Sequence, residues 1–134
     1  MKKWPEHFPQ QCPPPDATPP SMEVFRFINR TSPKEKDFFS YYVLKPDEEW
    51  GNKACNARGL SVYTSEADCV AAAAAVPALK KKHISVAILP ENSGVIASTP
   101  SMTIKNHKTF WSLLEAKQLA ELFSPRVSIG VGNV

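Results

Sequence analysis

Gly59-Leu60-Ser61-Val62-Tyr63-Thr64-Ser65-Glu66-Ala67-Asp68-Cys69-Val70-Ala71-Ala72-Ala73-Ala74-Ala75-Val76-Pro77 is the stretch on which the fold turns. Its opening alternates apolar and polar side chains, the period of a half-buried strand. Ser65 then offers a hydroxyl for a helix N-cap, with Asp68 three residues on for a reciprocal bond. Five consecutive alanines, residues 71–75, have the best intrinsic helix propensity, and Pro77 stops the run. The spacing predicts a strand over 59–64 feeding directly into a helix over 66–76.

Outward from that unit, Val24-Phe25-Arg26-Phe27-Ile28 reads as a strand of aromatic and β-branched residues around one arginine. Residues 37–44, apolar at nearly every position, fit either a short helix begun at Asp37 or a buried strand. Residues 45–58 carry Pro46, Gly51 and several charges without a repeat, the pattern of a long surface loop. Residues 83–89 are a β-branched strand closed by Pro90, and a brief strand follows at Val95 and Ile96. Ser112 and Glu115 have capping-box spacing, and Leu113, Ala116, Leu119, Ala120 and Phe123 recur at helical intervals up to Pro125. Residues 126–131 alternate as a closing strand.

These elements predict a small single α+β domain. Its sheet is mixed or antiparallel, with five or six short strands, and it has two main helices. Seven of the 13 prolines fall within residues 1–20, a density that forbids a helix or a central strand there. Residues 1–22 therefore form a proline-rich N-terminal arm, either disordered or docked through Trp4, Phe8 and Cys12, and residues 23–134 form the domain. A chain of 134 residues buries roughly two-thirds of its unfolded surface, enough for one core without metal or disulfides.

Composition removes several classes. No apolar run approaches the ~20 residues of a membrane helix, and the N-terminus lacks the apolar core of a signal peptide, so no membrane partner and a cytoplasmic location are expected. The net charge of +3 falls short of a dedicated nucleic-acid binder. Cys12, Cys55 and Cys69 are odd in number and widely spaced, which excludes a full disulfide framework and zinc spacing. Reduced thiols are the simplest reading, with Cys69 in the core and Cys55 the exposed, reactive one. Dinucleotide, P-loop, zincin, hydrolase-elbow and EF-hand motifs are all missing, and no metal or other cofactor is expected.

Three groups of residues carry chemistry. Arg26 lies within an apolar strand and must reach an edge or an anion, or else sit on the solvent face beside an acidic neighbour. The hydroxyls of Ser61, Tyr63, Thr64 and Ser65 cluster at a strand end, although capping alone accounts for Ser65. Residues 105–111 set Lys105, His107 and Lys108 before Phe110 and Trp111. His107 titrates near neutral pH and Trp111 offers a ring for stacking, unless the aromatics belong to the core. Lys80-Lys81-Lys82 with His83 forms a basic run, fit for phosphate contacts or simply solvated.

Arg26 in an early strand, followed by a strand ending in Tyr63-Thr64-Ser65, resembles the arginine-serine-glutamate branch of ADP-ribosyltransferases. The resemblance covers about a dozen residues. It implies that Arg26 grips the phosphates of NAD and that Ser65 orders the pocket, with Tyr63 in place of the first serine. That family's glutamate pair has no counterpart, and Glu115 falls in the second predicted helix.

Three functions are thus in play, and whether the protein is an enzyme is left open. The first is an accessory or binding protein whose partner is another protein, acting through a pocket or surface near Arg26, Tyr63, Thr64, Ser65 and 107–111. The second is an ADP-ribosyltransferase-like enzyme using NAD. The third is an electrostatic nucleic-acid binder using Lys80, Lys81, Lys82, Lys105 and Lys108.

Overall fold

The computed structural model describes residues 4–126. It is an α+β domain built on two three-stranded antiparallel sheets and four helices. The first sheet has the order β1 (Met22–Ile28), β3 (His83–Leu89), β6 (Ser124–Pro125); the second has β2 (Leu60–Val62), β5 (Lys108–Ser112), β4 (Gly94–Ser98). The sheets meet where Phe25 and Tyr63 exchange backbone hydrogen bonds of 2.7 and 2.8 Å. The strand predicted over 59–64 therefore splits its work, since Leu60–Val62 pairs with β5 and Tyr63 pairs with β1.

Side-chain alternation along β1 and β3 makes the first sheet a divider. Val24, Ile28, Ala87 and Leu89 point to one face, into a core shared with Phe38, Phe110, Leu119 and Phe123. Phe25 and Phe27, with Ile84 and Val86 of β3, point to the other, against Cys69 and Ala72 of the long helix. That helix, α3 (Glu66–Ala75), begins as predicted: Ser65 Oγ accepts from the Asp68 N–H at 3.1 Å. The Asp68 carboxylate turns instead to the Asn106 side-chain amide, 2.9 Å away.

Three local expectations need correction. Ser112 does not cap a helix. It ends β5, and its Oγ both accepts from the Leu114 N–H and donates to the Leu114 carbonyl, each at 2.8 Å. The last helix, α4 (Ala116–Leu122), starts after Glu115, whose N–H donates to Gln118 Oε1 at 2.8 Å. β5 carries no alternation to mark it as a strand, because it is buried on both faces. Gly94, at φ 154°, lets β4 meet β5 closely, since a Cβ there would collide with the Trp111 carbonyl. Residues 37–44 are neither a single helix nor a strand. A 3₁₀ turn (Glu35–Phe38) buries Phe38, and a single helical turn, α1 (Tyr41–Leu44), leaves Tyr41, Val43 and Leu44 largely exposed.

The third correction concerns the thiols. Cys12 and Cys55 are joined in a disulfide with Cα atoms 5.5 Å apart, so Cys55 is not a free, reactive thiol. The chain at 4–21 folds back over the second sheet, where Thr18 and Ile96 exchange backbone bonds of 3.0 and 2.8 Å. Trp4, Phe8 and Ala17 pack around Cys12, Val95 and Trp111. Cys55 lies within the last helical turn before β2, α2 (Ala54–Ala57), and packs against the same cluster. Fold-back brings together two cysteines 43 positions apart, a contact that no spacing rule anticipates. The strand expected over 126–131 lies, apart from Arg126, outside the described residues.

Candidate functional site

β2 and the segment entering β5 bring hydroxyls and an imidazole together. In the β2–β5 ladder Ser61 stands opposite Thr109, and His107 precedes β5 by one residue. Ser61 Oγ lies 2.8 Å from His107 Nε2. On the far side of the ring, Nδ1 lies 2.9 Å from Thr99 Oγ1 and 3.1 Å from the Thr99 carbonyl oxygen. Thr99 Oγ1 is also 2.7 Å from Thr109 Oγ1, so four polar side chains form one chain. Burial pushes the His107 pKa below its ordinary value. Arg26 and Lys108 push the same way, against the hydrogen bond to the Thr99 main chain.

Tyr63 packs edge-on against His107, ring centroids 5.9 Å apart, and against Phe27 at 5.6 Å. Its hydroxyl is pushed up to about 12, mainly by burial. Arg26 reaches the same neighbourhood from β1, yet its donors are committed. Nε and Nη2 donate to the Asp37 carbonyl at 3.0 and 2.8 Å, and Nη1 donates to the Ser61 carbonyl at 2.8 Å. The guanidinium also lies 5.6 Å from the centroid of the Phe38 ring. Burial lowers its pKa to about 10, which leaves it charged at neutral pH. Asp37 is the acidic neighbour, but its carboxylate holds the turn at 29–37 by accepting from the N–H groups of Asn29 and Lys34.

The other sequence candidates are dispersed. Thr64 is half-buried, and Ser65 is the N-cap of α3. Trp111 is fully buried with Cys12 and Val95, and its indole N–H donates to the Cys55 carbonyl at 2.9 Å, so the ring belongs to the core. Lys105 is exposed in the loop before His107, and Lys108 is half-buried in β5. Lys80 and Lys81 end a 3₁₀ turn (Pro77–Lys81), and Lys82, which follows, donates to Asn29 Oδ1 at 2.7 Å.

Two features escaped the sequence. Ser61 was only one hydroxyl among several, and Thr99 carried no signal, because its bond to His107 is made across a loop. The second is an apolar cleft of about 320 Å³ between α3 and the face of β1 and β3. Phe27, Val70, Ala73, Leu79 and Ile84 line it, and Lys80 and Lys82 stand at its edge. The alanine run that signals the helix also opens this cleft, because alanines 73 and 74 reach no further than a methyl group. Cys69 closes its floor as a free, fully buried thiol pushed up to about 12, mainly by burial.

Among the described residues no group of three or more His, Cys, Asp or Glu side chains is placed to hold a metal ion, and no helix is long and apolar enough to cross a membrane. Fold and site together define a small α+β domain with a half-buried hydroxyl–imidazole chain and an apolar cleft whose lining includes Lys80 and Lys82. Compared with protein families, with characterised proteins and with solved structures, the chain matches none.

Proposed function

We propose that the chain is a small binding or accessory protein whose partner is another protein, held through an apolar segment with acidic flanks. The observation that carries this reading is the cleft between α3 and the β1–β3 sheet, apolar along its lining and cationic at its edge. Val70 is 64 % exposed on α3, a branched apolar side chain left facing water unless something covers it. Lys80, Lys81 and Lys82 set the sign of the flank that fits. Tyr63 is buried in the cluster that includes Phe27, Leu79 and Ile84 of the cleft lining.

Transfer of ADP-ribose is the weaker proposal. A grip on NAD phosphates would require Arg26 to abandon the Asp37 and Ser61 carbonyls, leaving both unpaired. Nucleic-acid binding would use the same lysines without the apolar lining. Location is tied to the disulfide. A cytoplasm keeps such pairs reduced, so a cytoplasmic protein would carry Cys12 and Cys55 in the open form.

Amide spectra of the full chain, titrated with two designed amphipathic peptides alike in apolar residues but carrying either glutamate or lysine flanks, test the reading. The acidic peptide is expected to shift the amides of Phe27, Val70, Leu79 and Ile84, more weakly as salt rises, while the basic peptide leaves them unmoved. Equal response to both peptides, or none, overturns it. So does an RNA oligonucleotide that shifts the lysines while the apolar lining stays silent.

A further inference from the structure

The pairing of Ser61 with His107 is independent of the cleft and has chemistry of its own. A carbonyl oxygen only accepts, so the 3.1 Å contact with Thr99 places the proton of a neutral imidazole on Nδ1. Nε2 then presents its lone pair to the Ser61 hydroxyl, which donates across 2.8 Å. Burial, Arg26 and Lys108 all favour that neutral ring near pH 7. Both side chains are half-buried, so each keeps some surface open to solvent.

We infer that Ser61 is a nucleophile toward activated carboxylic esters, with His107 as its general base and Thr99 as the positioning residue that fixes the imidazole tautomer. In the first step Ser61 Oγ bonds to the ester carbonyl carbon while its proton passes to His107 Nε2. The carbon–oxygen bond to the leaving group breaks, and the departing alkoxide takes that proton. Water then attacks the acyl-serine, giving a proton to Nε2. The acid departs as Ser61 Oγ recovers the proton, so no outside oxidant or reductant is needed.

A fluorophosphonate, which phosphonylates an activated serine and releases fluoride, tests this on the full chain. One phosphonyl group is expected on Ser61, located by peptide mass. The rate is expected to fall roughly 100-fold in His107→Gln, the scale of a lost general base. Ser61→Ala, checked for an unchanged melting curve, should take up none. The wild-type rate should be level above the ordinary histidine range and fall below it as Nε2 becomes protonated. An unmodified Ser61, modification only elsewhere, or an equal rate in His107→Gln overturns the inference. If His107→Gln does not fold, a wild-type rate that stays flat on acidification down to the pH at which the fold is lost does so instead. The peptide titration of the cleft reads different residues, so either proposal can fail alone.

Discussion

Arg26 shows how a charged residue comes to serve a strand interior. Its side chain shares a face with Val24 and Ile28, and the guanidinium spans from β1 to the Asp37 turn on one side and to β2 on the other. One planar fork therefore holds together the 3₁₀ turn that buries Phe38 and the junction of the two sheets. Lysine is a point donor on a flexible stem and cannot reach both carbonyls in that geometry. Arg26→Lys is expected to destabilise the fold by about 2 to 4 kcal/mol, the loss of charge-assisted bonds to carbonyls then left buried, measured as a lowered urea midpoint with unchanged slope. A variant as stable as the wild type would mean that the guanidinium is not structural. That an arginine in an apolar strand needs an anion or an edge was legible from type alone. That main-chain carbonyls would answer the need was not, because they belong to residues 11 and 35 positions away.

At the scale of elements, legibility follows locality. The strand-to-helix unit around Ser65 was readable because alternation, cap and stop lie within twenty residues, and every part of it acts on its neighbours. β5 was hidden for the opposite reason. Phe110 faces the main core, while Trp111 faces the cluster under residues 4–21, so burial on both sides erased the period that marks a strand. The segment at 4–21 has no regular helix or strand, and its hold on the domain rests on apolar contacts, the Thr18–Ile96 bonds and one cross-link. A bridge closing 43 positions removes loop entropy from the unfolded chain, worth about 4 kcal/mol in the chain-entropy account. Cys12→Ser is expected to lose that stability, and treatment of the wild type with dithiothreitol should produce the same melting temperature while leaving Cys12→Ser unmoved. If the reductant shifts both proteins equally, the bridge is not what holds the segment.

For the molecule as a whole, the imidazole chain sets how stability depends on pH. His107 is enclosed by Ser61 and Tyr63 from the β2 side, Thr99 from the loop after β4, Arg26 from β1, and Lys108 and Thr109 from β5, and no carboxylate is among these partners. Its pKa is lowered first by burial, and that of His7 is lowered in the same sense by burial and by Arg58. A group whose folded pKa lies below its unfolded value binds a proton more readily in the unfolded chain, so acid favours unfolding. Stability from these rings is complete above the unfolded histidine pKa of about 6.5 and is lost as pH falls through the lower folded values. The half-buried His107 ring steepens the decline by up to about 1.4 kcal/mol per pH unit until its folded form protonates as well, and the exposed His7 adds less because solvent screens it. Urea unfolding between pH 8 and 5 should show a level midpoint that then drops on the acid side, and His107→Gln, which keeps hydrogen-bonding capacity without a titrating ring, should flatten most of the drop. A wild-type midpoint that rises on acidification would reverse the sign and with it the neutral state of His107. Because the same neutral ring is the base assigned to Ser61, the acid limb of stability and that of serine labelling should share a cause, yet only the labelling should vanish in Ser61→Ala.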